Sequence, residues 1–179
     1  MEDGDTTIQD ISVCVTTQIK TILGVECTVV HDVVKETGRL AEDTFDWYAQ
    51  DKEGNVWYFG EAPRSFEGGE VSTEGSWEGG VDGAEPGIIM HAEPAAHFGK
   101  AYYQEFYKGH AEDQAINLDT NVTAKVPYGT FTNCLRTREF TALEPGVAEL
   151  KYYARGIGLV LTETVEGGNE REVLLKLSR

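Results

Sequence analysis

Cysteine is scarce in this chain, with only Cys14, Cys27 and Cys134 among 179 residues. Three scattered thiols cannot form the disulfide framework of a small secreted domain, and none has zinc-ligand spacing. Core packing is the expected role of each, with a Cys27 to Cys134 bridge left open for an oxidising compartment. No apolar run approaches the ~20 residues of a spanning helix, so no transmembrane segment is expected. Helical periodicity never lasts beyond one or two turns, which excludes a helix bundle. Basic residues are few, 15 Lys+Arg against 31 Asp+Glu for a net charge of −16. Such a surface repels phosphate backbones and anionic headgroups, which excludes nucleic acid as a partner. No G-x-S-x-G is present, neither Ser76 nor any cysteine has a His at a known spacing, and no helix follows the glycine pairs to make a phosphate loop. The opening MEDGDTT lacks the basic and apolar regions of an export leader. An exported form is therefore expected to carry its leader ahead of this chain, with Met1 replacing it.

What is present is the composition of a packed domain, 40% hydrophobic and 26% charged, enough for one core over residues 1–179. The acid is uneven. Residues 1–100 hold 20 acids and 6 bases, whereas 101–179 hold 11 and 9. Period-two alternation sets Ile11, Val13 and Val15 on one face, breaks at Leu23-Gly24 and resumes at Val25, Cys27 and Val29, predicting a hairpin. A second hairpin, 44–50 and 56–60, turns at Asp51 to Asn55 and carries Phe45, Trp47, Tyr48, Trp57, Tyr58 and Phe59. A sheet so aromatic on both faces must be covered or curled. Residues 61–100 read as an irregular Gly/Glu-rich lobe with Phe66, Val71, Trp77 and Val81 as apolar anchors. Further strands are predicted at 101–107, 112–118, 122–126, 130–141, 147–154, 158–165 and 172–177. The fold class is all-β, a curved antiparallel meander closing into a barrel or half-barrel.

Three of the four histidines, His91, His97 and His110, fall within twenty residues, beside Glu93, Glu105, Glu112 and Asp113. They are the candidate ligands for a divalent metal, and His97, Glu105, His110 and Asp113 the candidates for acid–base chemistry. No other cofactor is expected. In Tyr102 to Tyr107, alternation puts Tyr103, Glu105 and Tyr107 on one face. That face either meets solvent or buries a carboxylate with a raised pKa, a device of acid–base sites and polar ligand anchors. The loop at Asp51 fails as an EF-hand, because its glycine comes early and its twelfth position is Ala62. A hairpin turn is expected there.

The stretches EDTFDWYAQDKEGNVWYFGE, VPYGTFTNCLRTREFT and ELKYYARGIGLVLTE resemble a family of uncharacterised exported bacterial proteins and lipoproteins. The last two are also similar to secreted proteins with lipoprotein-carrier-like half-barrels. The resemblance implies a curved antiparallel sheet and an extracytoplasmic location, periplasmic, surface-bound or secreted. The leading expectation is thus a non-catalytic binding protein that holds an apolar or aromatic small molecule, or a lipid, among Trp47, Tyr58, Trp77, Tyr103, Glu105 and Tyr153. Two alternatives stand beside it. One is a hydrolase or lyase built on the histidines and carboxylates; the other is an acidic module whose lobe meets a basic partner or Ca²⁺.

Overall fold

A computed structural model describes residues 6–178; the expectation attached to Met1 lies outside them. The chain opens with β1 (Gln9–Ile22), β2 (Val25–Glu36) and β3 (Arg39–Gln50). Two-residue turns at Leu23-Gly24 and Thr37-Gly38 join them, and all four residues have positive φ. This is the type I′ geometry whose twist matches that of paired strands. After the Asp51 turn come β4 (Val56–Ala62), the short β5 (Ser65–Glu67), β6 (Glu70–Ser72) and β7 (Trp77–Glu78), then β8 (Glu85–Met90). A single 3-10 turn, Pro94–His97, precedes β9 (Ala101–Tyr103) and β10 (Glu105–Phe106). The chain ends in β11 (Asp113–Val126), β12 (Gly129–Thr141), β13 (Ala148–Ala154), β14 (Gly158–Glu166) and β15 (Arg171–Val173).

These strands make two antiparallel sheets, β1-β2-β3-β4-β8-β10 with β5, β6 and β7 attached, and β15-β14-β13-β12-β11-β9. The predicted all-β curved meander is present, and neither sheet closes into a barrel. At Gln104 the chain passes from the second sheet to the first. Tyr103 pairs with Gln114 in the second sheet, Glu105 pairs with Pro86 in the first, and Gln104 lies between them. The strand predicted across 101–107 is therefore broken, because its halves bond to different sheets. Conversely, the two strands predicted at 112–118 and 122–126 are one bulged strand, β11. The last strand stops at Val173.

Alternation along β3 puts Asp46 and Tyr48 on the side facing the second sheet. Trp47 turns the other way, into a core with Ile22, Cys27, Val29 and Phe59. A second core gathers Ala124, Val126, Cys134, Tyr152, Ala154, Val160 and Leu161. A third, smaller one joins Tyr58, Trp77, Ala84 and Ala111. Of the lobe's expected anchors, Trp77 is buried, but Val71 and Val81 are exposed. Short turns tie that segment down at Trp77 and Ala84 instead.

Cys27 and Cys134 belong to different cores, so no bridge joins them, and all three thiols are free. Cys14 is exposed and the other two are fully buried. A thiol reagent should therefore titrate one group rapidly in native protein and three after denaturation. Two or more fast groups would contradict the burial.

A carboxylate-rich cleft between the sheets

The crossing at Gln104 opens a cleft of about 190 Å³ lined by Tyr58, Glu61, Ile89, Gln104, Glu105, Asp113, Glu139 and Lys151. Both sheets contribute. Tyr58 and Glu61 come from β4, Glu105 from β10, and Asp113, Glu139 and Lys151 from three successive strands of the second sheet. One wall is aromatic. Tyr58 stacks on Tyr48 with centroids 4.8 Å apart and stands perpendicular to Trp77 with centroids 5.4 Å apart.

The opposite wall is an ion-paired network. Glu139 Oε1 accepts hydrogen bonds from Thr137 Oγ1 at 2.7 Å and Tyr153 OH at 3.0 Å, and Glu139 Oε2 lies 2.9 Å from Lys151 Nζ. Glu149 Oε2 is 3.6 Å from the same ammonium. Burial opposes the charge on Lys151, but these carboxylates outweigh it and raise its pKa. Glu139 is thus satisfied at every oxygen.

Nearer Tyr58, Glu105 is not, because its Oε2 has no partner. Burial, reinforced by Asp113 and Glu61, pushes Glu105 up to about 8, and burial with Asp46 pushes Glu61 up to about 7. Asp113 at the mouth is raised by the same desolvation. Asp46 sits behind Tyr58, whose hydroxyl donates to its Oδ1 at 2.6 Å; burial raises this carboxyl too. Tyr58→Phe removes that donor. It is expected to destabilise the fold by about 1–3 kcal/mol, the cost of a buried acceptor left unpaired, read as a lower denaturation midpoint with an unchanged m-value.

Gln104 Nε2 has no hydrogen-bond partner, and Glu105 Oε2 and Trp77 Nε1 make none at good geometry, although the indole faces the carboxyl closely enough to offset part of its burial. Gln104 is 3% exposed and Glu105 8%. Buried polar groups almost always find partners, so these are the cleft's distinguishing atoms.

The structure brings together some of the expected site residues and separates others. Tyr58 and Glu105 line the cleft, Trp77 forms its corner and Tyr153 supports its far wall. Trp47 lies on the reverse of the sheet, under Lys20 Nζ at 3.3 Å. Tyr103 lines a separate, open groove of about 400 Å³ with Trp57, Pro86, Ile88 and Phe106. The chain's crossing at Gln104 is what divides Tyr103 from Glu105. Among the acid–base candidates, Asp113 joins Glu105 in the cleft.

The histidines lie elsewhere. His91 and His97 stack at 4.0 Å, with His91 Nδ1 3.1 Å from Asn117 Nδ2 and its ring edge-on to Tyr102. Burial and the neighbouring His97 lower the His91 pKa. His110 stacks on Tyr107 at an exposed turn. Among the described residues no group of three or more His, Cys, Asp or Glu is arranged to hold a metal ion. At the Asp51 turn, both carboxylate oxygens already accept bonds from Asn55, and Oδ2 also accepts one from Trp57 Nε1, which holds the carboxyl down at about 2.

Sequence reasoning missed Glu61, Asp46, Gln104, Glu139 and Lys151. Period-two alternation could have set Glu139 and Lys151 beside Thr137 on one face, since Thr137 and Lys151 are directly paired. No local pattern announces Gln104. No helix among the described residues is long and apolar enough to cross a membrane. No family model, curated protein or solved structure matches the chain.

Proposed function

We propose that the protein is an exported, non-catalytic binding protein that holds a small organic molecule in the cleft between its two sheets. The observation that carries this reading is the pair Gln104 and Glu105, each more than nine-tenths buried and each presenting an unpartnered polar atom. A ligand with complementary groups would satisfy both, and the Tyr58–Trp77 corner offers a ring a surface to pack on. The cleft's size suits a one-ring molecule, since an engineered cavity of ~150 Å³ takes benzene. Its carboxyls favour such a ligand over a lipid, because an acyl chain would leave them desolvated and unpaired. Export rests on the resemblance to exported families.

Native mass spectrometry of protein purified from an exporting host tests the reading. A small-molecule adduct present in wild type and absent from Gln104→Leu is the expected result. Bare protein only, with no compound of a diverse panel raising the melting temperature of wild type above that of the variant, would refute it.

A second reading, an acid–base hydrolase or lyase, is favoured by one observation. Glu105 near 8 and Glu61 near 7 share a cleft with Lys151, which suits proton transfer near neutral pH. Turnover of a bound compound that vanishes in Glu105→Gln would replace the binding reading with this one.

A further inference from the structure

Resting on the cleft as a binding site, we propose that its ligand class is a small hydroxylated amine, with a protonated nitrogen held by Glu105 and Glu61 and an oxygen held by Gln104. Three features converge on this chemistry. First, the cleft carries an excess of acid that no side chain balances. Its one base, Lys151, is engaged at the far wall by Glu139 and Glu149 and acts on Asp113 only through the field of its charge, while among the described residues no ion pair holds Glu105, Glu61 or Asp46 behind Tyr58. Lys151 shows what such a wall accepts, an ammonium set between two carboxylates.

Second, the unpartnered atoms are of both kinds. Glu105, faced only by the Trp77 indole N–H, is an acceptor with room for a further donor, whereas Gln104 Nε2 is a donor with no acceptor. A bare cation would satisfy the first and leave the Gln104 donor unpaired. A carboxylic acid or phosphate would satisfy that donor and meet the acidic wall with repulsion. An amine that also bears a hydroxyl answers both. Third, the Tyr58 and Trp77 rings stand nearly perpendicular in an aromatic corner next to the acids, and a ring face there favours an organic ammonium through its quadrupole.

Ammonium binding requires ionised carboxylates, so it displaces protons held in the empty cleft. The groups facing Glu105 are Asp113 from β11, Glu61 from β4 and Asp46 from β3. All four carboxyls are raised, so binding releases protons near neutral pH and tightens as pH rises.

The test uses three probes of one shape: tyramine, the uncharged para-ethylphenol and the anionic para-hydroxyphenylpropionate. Calorimetry on the full chain is run in buffers of different ionisation enthalpy, from pH 6 to 8.5. Tyramine is expected to bind about tenfold tighter than para-ethylphenol and to release protons on binding. The anion should not bind, and Glu105→Gln should weaken tyramine about tenfold, the loss of one charge-assisted contact. Glutamine in place of a buried acid keeps the fold, which circular dichroism verifies. If para-ethylphenol binds as well as tyramine without proton release, the amine inference falls and the cleft reading stands. If none of the probes binds and the diverse panel also fails, both fall. Tyramine binding that Glu105→Gln leaves unchanged places the amine outside the cleft and overturns the inference.

Discussion

Gly87→Ala is expected to lower the melting temperature by about 6–12 °C, the equivalent of roughly 3 kcal/mol in a chain of this length. Gly87 lies on β8 opposite Tyr58 and directly beneath the crossing. A Cβ built there would stand 2.4 Å from the Gln104 carbonyl carbon, 2.5 Å from its oxygen and 2.6 Å from the Tyr103 oxygen. Those are backbone atoms, and they cannot swing aside. The Gln104 amide is bonded to the Asp113 carbonyl at 2.8 Å, and Tyr103 is locked to Gln114. The added methyl can be accommodated only by parting the sheets where they meet. Gly129→Ala is the control, because nothing lies within 4 Å of its Cβ position and its φ is not positive. Calorimetric melts of the two variants decide the matter. Equal, small effects would mean that the chain does not cross against Gly87.

Stability should peak in mildly acid solution and fall steadily from about pH 5 to pH 8. Glu105, Glu61 and Asp32 have folded-state values of about 8, 7 and 6, all above the ordinary carboxyl range of ~4. Between the two ranges the folded protein binds more protons than the unfolded chain, so raising the pH favours unfolding. Below about pH 4 both states are protonated at these sites, and the penalty vanishes. Glu105 alone, moved from 4.5 to about 8, opposes ionisation by roughly 5 kcal/mol. Asp43 works in the opposite sense. Its carboxyl is held low, chiefly by its hydrogen bond with His31 at 2.5 Å, so its contribution is present above pH ~4 and lost in stronger acid. The two trends place the maximum near pH 5. Urea melts across pH 4–9 should show it, and Glu105→Gln should flatten the alkaline limb while stabilising the protein at pH 8 by a few kcal/mol. A variant that leaves the limb unchanged would remove Glu105 as its source.

How much of this was legible in the sequence depended on how local the cause was. The hairpins of β1 to β4 announce themselves, because alternation and the Leu23-Gly24 and Thr37-Gly38 turns act over a few residues. The cleft does not, because it is made by strands distant in sequence. Glu105 was identifiable as a carboxylate among tyrosines, yet its grouping with Tyr103 was wrong, since a single residue, Gln104, transfers the chain from one sheet to the other. Trp47 and Tyr58 looked alike as aromatics of one hairpin. Their registers put them on opposite faces. The histidines were close in sequence, but the 3-10 turn at Pro94–His97 folds two of them together and leaves His110 on its own turn.

The crossing also sets where this chain can change length over evolutionary time. An insertion at the exposed Gly68-Gly69 turn only extends a loop into solvent. One residue added between Tyr103 and Glu105 would reverse the facing of every side chain on one side of it. Glu105 would turn out of the cleft, or Tyr102 would lose Asn117, its partner at 3.2 Å. Aligned relatives of this protein should therefore show gaps freely in the lobe and none at Gln104, and the spacing from Tyr102 to Glu105 should outlast the identity of the residues that fill it.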